Sequence, residues 1–389
     1  MTMLSDKVNL VSFIDSAVHA ALSEPPRGHL GASQIGNECE RALWYSFRWA
    51  SYKQFSGRML ILFNRGHEEE ARFIRWLTMA GMTVTSVDNK GNQFSFSEDS
   101  TGGHFGGSID GFGYGIPGDE STQFLLEFKT SGAKAFKQLE KSGIEKSKPY
   151  HYFQVQIYMH WAGLKRALYM VVNKDDDRLY TEIVNYDEKV AERLIAKAQR
   201  IVKSQNTPAG ISEKPDWYKC KLCDFHALCH GRGKESTDCA GALLGIQSLP
   251  DVNCRTCLHS TPELTPDADG KARWSCAKWE CDIPIKGQRE GCIEHRYIPS
   301  LIPWAAQIDA DEDGNIIYEM KGDSHQPFIN GSSSQDKQVP FYASKELQAI
   351  NPLLIGDSNI QKLREQFNAE CVPVEAMQLV DIMDEDVPW

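Results

Sequence analysis

The chain has 389 residues, 41% hydrophobic and 24% charged, enough to bury a sizeable core and to divide into two or three domains of ordinary soluble composition. No apolar stretch reaches the length of a membrane span, and a net charge of −11 excludes a surface built for indiscriminate phosphate binding. Eleven cysteines in a chain without a recognisable export signal point to metal ligands rather than a disulfide framework, with the cytoplasm as the default residence.

Residues 1–22 lack a basic leader and are interrupted by Asp6, Lys7 and Asp15, so they read as an amphipathic helix, not a signal peptide. After Pro25-Pro26, residues 33–41 lead into apolar Leu43, Trp44 and Phe47, with one cysteine, Cys39, that taken alone reads as a small buried hydrophobe. Arg65-Gly66-His67-Glu68-Glu69-Glu70 opens an expected helix whose apolar spacing comes from Phe73 and Leu77. Gly107-Ser108-Ile109-Asp110-Gly111 reads as a glycine-rich hairpin. The following strand, 124–130, turns polar at alternate positions and puts Glu127 and Lys129 on one face. Alone, that pair is a weak signal, since a carboxylate beside an ammonium is usually an ordinary ion pair. Together with Asp110 it gives two carboxylates and a lysine, a set that can hold a hard divalent cation and a water.

Eight Lys or Arg lie between Lys129 and Arg166, against Glu140 and Glu145. Lys134, Lys137, Lys141, Lys146 and Lys148 are where a DNA backbone would lie, the plainer alternative being a solvated helix face. Gln154 and Tyr158, four apart in a helical stretch, share a face. Strands at 167–172 and 180–184, a charged turn at 174–178 and a helix from 188 to 203 complete a mixed central sheet flanked by helices. Cys220, Cys223 and Cys229 follow, one thiolate short of a closed site; zinc with His226 or His230 as fourth ligand is one reading.

In this order, His67, Asp110, Glu127-x-Lys129 and Gln154-x3-Tyr158 resemble the PD-(D/E)xK nucleases, with Ile109-Asp110 in place of the usual Pro-Asp. The histidine and the Q-x-x-x-Y pair are similar to the RecB-like branch. Cys39 followed by the C-x2-C-x5-C run resembles its iron-sulfur members, including the AddB nuclease domain and the CRISPR-associated RecB-like exonucleases. The resemblance implies a restriction-endonuclease-like α/β core. It implies Mg2+ or Mn2+ held by His67, Asp110, Glu127 and the carbonyl of Phe128, with Lys129 positioning or deprotonating the nucleophile and Gln154 and Tyr158 steadying the DNA or the lysine. It also implies a 4Fe-4S cluster on Cys39, Cys220, Cys223 and Cys229, acting as a staple rather than a redox centre. Residues 231–236 read as its boundary.

Beyond it, Cys254-x2-Cys257, Cys276 and Cys292, with His295 as the alternate fourth ligand, suit a small zinc ribbon and resemble a Cys-rich module appended to some phage nucleases. Cys239, Cys281 and Cys371 are left as free thiols. Residues 309–314 imitate a calcium loop, but Met320 stands where a bidentate Glu is required, so a hairpin between 304–308 and 316–320 is expected. A flexible connection at 322–338 and a helix or helical pair at 344–368 follow. The acidic end, Asp381 to Trp389, reads as a solvating tail, and it is similar to the tip by which single-stranded DNA-binding proteins recruit replication or recombination proteins.

The expected division is 1–235 nuclease, 236–303 zinc ribbon, 304–340 hairpin and linker, and 341–389 helical segment with tail. The expected activity is hydrolysis of DNA at its ends, in phage recombination or end processing. The alternatives are a non-catalytic DNA-binding adaptor on a nuclease scaffold, a redox-sensing regulator and a CRISPR-adaptation nuclease.

Overall fold

The structure, a computed structural model, describes residues 9–231, 247–322, 325–333 and 339–372. Cys239, the 231–236 boundary beyond Gly231, and the tail ending at Trp389 lie outside them. Two compact units divide the chain. One holds residues 1–38, 53–202 and 264–272, and the other 39–52, 203–263 and 273–389. This cut differs from the expected one, because residues 39–52 and 203–231 belong with the C-terminal half.

The first unit contains strands β1 (Leu30–Gly31), β2 (Thr83–Thr85), β3 (Ser95–Ser97), β4 (Phe105–Ser108), β5 (Gly111–Tyr114), β6 (Phe124–Ser131), β7 (Arg166–Asn173) and β8 (Leu179–Asn185). Its helices are α1 (Leu10–Leu22), α3 (Gly57–Met79), α4 (Ala133–Ser147), α5 (Pro149–Ala162) and α6 (Glu188–Lys203), while α2 (Glu40–Phe47) belongs to the second unit. The main sheet runs β2-β5-β6-β7-β8, and only β6 and β7 pair in parallel. It is the mixed α/β sheet flanked by helices that the pattern predicts.

Alternation along β6 and β7 creates two faces. Phe124, Leu126 and Phe128 with Leu168, Met170 and Val172 form one core against Phe73 and Leu77 of α3, and Phe73 stacks on Phe128 at 4.8 Å. The opposite, odd-numbered face carries Glu127 beside Tyr169 and Lys129 beside Val171, and α5 packs on these two strands.

Two expectations need correction here. The helix carrying His67 begins at Gly57, eight residues before Arg65, because Ser56 caps it by accepting the Met59 N–H at 3.4 Å. Asp110 is not at a hairpin turn: β4 pairs with β1 and β3, whereas β5 pairs with β2 and β6. The chain changes sheets at Asp110, and a glycine-rich stretch signals that bend as readily as a hairpin.

The second unit joins α2 to α7 (Tyr218–Lys221) and α8 (His226–His230) and to two small sheets. One is β9 (Ser260–Pro262), β10 (Trp274–Cys276) and β11 (Cys281–Asp282). The other is β12 (Ala305–Ala310), β13 (Ile316–Met320), β14 (Pro327–Asn330) and β15 (Phe341–Tyr342). The expected hairpin is β12–β13. The stretch expected as a flexible connection instead contributes β14, whose Phe328 is buried and stacks on Tyr318 at 5.3 Å. A sheet thus crosses the expected boundary at residue 340. The helical pair is α9 (Ser344–Ala349) and α10 (Ser358–Phe367). Among the described residues no helix is long and apolar enough to cross a membrane.

Candidate active site

Three elements of the first unit bring charged side chains together: β6 gives Glu127 and Lys129, the β4–β5 link gives Asp110, and α3 gives His67 and Glu70. Lys129 Nζ donates to Glu127 Oε1. The Phe128 N–H donates to Asp110 Oδ2 at 2.6 Å, tying the link to the strand. The turn after Asp110 requires glycine, since Gly111 has φ 149° and a Cβ there would stand 2.7 Å from the Thr85 carbonyl oxygen.

Burial sets the electrostatics. It pushes the Glu127 carboxyl up to about 7; Lys129 opposes this, and Asp110 and Glu70 reinforce it. Asp110 is raised by burial against the pull of Lys129, the Phe128 N–H and His67. Glu70 is raised by burial and then by Asp110, against His67 and Lys129. For Lys129, burial disfavours the charge, but Glu127 and Asp110 outweigh it and hold its pKa above the ordinary lysine value. Three carboxylates crowd one ammonium, so negative charge is in excess. Glu127 is 1% exposed, and its Oε2 is buried with no hydrogen-bond partner. A bare buried carboxylate oxygen among further oxygen donors suits a hard divalent cation. Among the described residues, however, no three His, Cys, Asp or Glu side chains are drawn together as a preformed metal group.

Glu70 is the residue that sequence reasoning missed. It shares with Glu69 the stripe of α3 that faces the sheet, three residues before Phe73 where Glu69 is four; Glu69 is the more buried and pairs with Arg72 at 2.7 Å, and what sets Glu70 apart is its place in the field of Asp110 and Lys129. His67 is off that stripe. Its side chain is 78% exposed, and its Nδ1 lies 3.4 Å from Glu70 Oε1.

Gln154 and Tyr158 share a buried face of α5, with Gln154 Nε2 donating to the Tyr158 hydroxyl at 3.1 Å. That hydroxyl fits because Gly107 has no side chain: a Cβ there would lie 2.7 Å from it. Lys134, Lys137, Lys141 and Lys146 are exposed on α4, and Lys148, just beyond it, is half-buried. The helix breaks at Gly143, φ 71°, where Glu182 Oε2 accepts the Ile144 N–H at 2.8 Å.

The ten described cysteines are not in disulfides. Cys39, Cys220, Cys223 and Cys229 lie together in the second unit. Burial raises Cys220, Cys223 and Cys229, and Cys39 adds repulsion to each. Arg41 bonds the Cys229 sulfur, and the Phe225 N–H bonds that of Cys223. Cys254, Cys257, Cys276 and Cys292 line one cavity of about 260 Å³ with Cys281, His259 and His295. Burial and the neighbouring thiols push Cys254 up to about 12. Burial pushes Cys257 up to about 11 against the N–H groups of Arg296 and His259 bonded to its sulfur. His295 lies within this buried wall, its Nε2 3.2 Å from the Thr256 hydroxyl.

No family model and no curated protein matches the chain. Among solved structures it is similar to an alkaline exonuclease, LHK-Exo, from Laribacter hongkongensis, at 19% identity over 48% of this chain and 90% of that one, with a TM-score of 0.31. The same exonuclease in complex with dAMP matches at 19% identity, 47% and 88% coverage and a TM-score of 0.34. A phage-related exonuclease from Haemophilus somnus 129PT matches at 16% identity, 48% and 91% coverage and a TM-score of 0.29. Likenesses this distant carry no weight for activity, which rests on the residues.

Proposed function

We propose that the protein is a divalent-metal-dependent deoxyribonuclease that hydrolyses phosphodiester bonds at DNA ends. The observation that carries this reading is the buried Asp110–Glu127–Lys129 cluster with Glu70 beside it and Glu127 Oε2 bare. Glu70, Asp110, Glu127 and the Phe128 carbonyl, with His67 at the rim, would hold Mg2+ or Mn2+. Such an ion would supply positive charge against the scissile phosphate and acidify a water.

The chain's own groups do the rest. Asp110 is fixed by the Phe128 N–H, so the loop does not have to order when substrate arrives. Lys129 stays protonated between two carboxylates, which suits it to orient the nucleophile and offset charge on the phosphate rather than to take a proton. The exposed lysines of α4 would take the DNA backbone.

The same reading includes a 4Fe-4S cluster on Cys39, Cys220, Cys223 and Cys229 and zinc on Cys254, Cys257, Cys276 and Cys292. Both rest on the spacing of those cysteines in the sequence, and in both N–H groups bond sulfur. It places the protein in a reducing cytoplasm, with end processing or phage recombination as the setting and a replication or recombination protein on the tail.

The test is cleavage of end-labelled linear single- and double-stranded DNA and of a closed circle by anaerobically purified protein with Mn2+ or Mg2+. Loss of label from linear DNA only, abolished in Glu127→Ala, is expected. DNA binding without cleavage would make a non-catalytic adaptor the better reading.

A further inference from the structure

The hairpin of β10 and β11 carries a thiol that neither metal site uses. Cys281 stands directly opposite Cys276 across this antiparallel pair. Opposite residues point to the same side of a sheet, and both cysteines line the cavity of the second unit. Nearby, the Ile283 N–H donates to the Trp274 carbonyl at 2.7 Å. Two residues along, Cys276 and Cys281 form a pair of the same hydrogen-bonded kind, their Cα atoms about 5.5 Å apart. A disulfide takes Cα separations of roughly 4.4–6.8 Å. This placement belongs to the backbone, so it fixes the two Cβ atoms whichever rotamers the thiols adopt.

The two thiols differ in access, for Cys281 is exposed and Cys276 half-buried. Cys281 is at the edge of the thiol cluster, since of the four cysteines that raise Cys254 it contributes least. An exposed thiol beside a more sheltered one suits stepwise oxidation, the first taking the oxidant and the second resolving it. Cys257 is buried and lacks that access, while Cys292, also exposed, lies on a loop rather than opposite a cysteine in the sheet. Opposite Cβ atoms lie about 4.5–5.5 Å apart, wider than the roughly 3.5–4.5 Å of a relaxed disulfide. Closing the bond draws the strands together, and a strained, exposed disulfide is readily reduced.

We propose that Cys276 and Cys281 are an oxidation site, at which hydrogen peroxide joins them in a reversible cross-strand disulfide that withdraws Cys276 from the zinc. The withdrawal rests on the zinc ligands of the reading above; the bond itself does not. The Cys281 sulfur attacks the peroxide, an S–O bond forms as the O–O bond breaks, and the departing hydroxide takes the thiol proton to become water. Cys276 then attacks that sulfur, the S–S bond forms and the S–O bond breaks. The second hydroxide leaves with the Cys276 proton as water, or as hydroxide where Cys276 was a zinc-bound thiolate. The two sulfurs give up the two electrons that reduce the peroxide.

The test uses the full chain, purified anaerobically, treated with hydrogen peroxide, alkylated and digested with trypsin. Trypsin cuts after Lys278, between the two cysteines, so the bond would join residues 274–278 to residues 279–286. Mass spectrometry is expected to find these two peptides joined, with zinc released in step into a chromogenic chelator, and dithiothreitol should separate them. Cys281→Ser should carry zinc as wild type does and keep it under the peroxide that strips wild type. Cys276 or Cys281 joined to a different cysteine, or both still open to alkylation after zinc has left, overturns the proposal. So does Cys281→Ser that purifies without zinc, because Cys281 would then be a ligand. Should that variant not fold, the peptide map of wild type decides.

Zinc-free wild type that still forms the bond removes the zinc reading and spares the oxidation site. Zinc-loaded wild type that forms no bond removes the oxidation site and spares the zinc reading.

Discussion

The carboxylate centre of the first unit and the thiol centres of the second are built in opposite ways. Glu127 and Lys129 stand on an eight-residue central strand, and Glu70 on a helix of 23 residues. The backbone ladder positions these charges, and hydrophobic packing holds the ladder. Cys254, Cys257, Cys276 and Cys292 hang on a single 3₁₀ turn, strands of two or three residues, and connecting loops. Elements that short bury little apolar area and close few hydrogen bonds. The core they share with α2 is largely a stack of guanidinium on indole: Arg255 lies 3.6 Å from the Trp49 ring centre and 4.7 Å from that of Trp274, and Arg48 lies 5.1 Å from the latter. Regular structure positions the charges of the first centre, whereas the thiols of the second hang on elements with little regular structure to hold them.

The largest effect tests the first half of that contrast. Glu127→Ala should lower cleavage by about a thousandfold or more while the first unit keeps its far-ultraviolet spectrum and melting transition, because one side chain on a packed strand does not hold the strand. Collapse of the first unit together with activity would show that the charged cluster is structural.

The second half is broken by removing thiols. Cys220→Ser, or anaerobic chelation, should destabilise the second unit by about 4–5 kcal/mol in the chain-entropy treatment of a link from residue 39 to residue 220 and leave the first unit folded. Calorimetry should then show two transitions where loaded protein shows them closer together. An unchanged second transition would mean that the thiols are ordinary buried side chains.

The same division governs what could be read from the sequence. Period-two alternation decides which side of β6 faces the core, and the residue pattern alone therefore places Glu127 beside Lys129. The helix from Glu188 to Lys203 was legible end to end, because its amphipathic stripe is strong. Glu70 was obscured by two neighbouring glutamates, because Glu69 is on the same stripe of α3 and only the tertiary neighbours Asp110 and Lys129 distinguish Glu70. The strand at Phe328 was hidden by the polar, glycine-containing residues around it, which look like linker. It is the pairing of β14 with β13 and β15 that holds it.

A smaller effect bears on how much strain the first centre stores. The folded protein holds the Glu127 proton up to about 7, above the usual carboxylate value of 4.5. Between these values the folded state binds more protons than the unfolded one, so this group makes stability fall as pH rises through the window. Glu127→Gln should therefore raise the stability of the metal-free protein by about 1–2 kcal/mol at pH about 8, and the gain should vanish below pH about 4.5. Denaturant titration at the two pH values would show it. A variant less stable than wild type at the higher pH would mean that Lys129 depends on Glu127 more than burial penalises the pair.

The smallest effect concerns the surface that would meet DNA. Lys134, Lys137 and Lys141 follow one another along the exposed side of α4 before the break at Gly143, and Lys146 and Lys148 come after it. If both sets follow the phosphate backbone, replacing any one lysine by alanine should weaken DNA binding by less than about tenfold and reduce the salt slope by about 1. The break gives the argument its edge, because Glu182 on β8 pins the second segment to the sheet through Ile144. Glu182→Ala should release that segment and reduce the contribution of Lys146 and Lys148 without touching Lys134 or Lys137. Equal losses on both sides of the break would show that the lysines act only as bulk charge, and unchanged salt slopes throughout would assign the row to solvent.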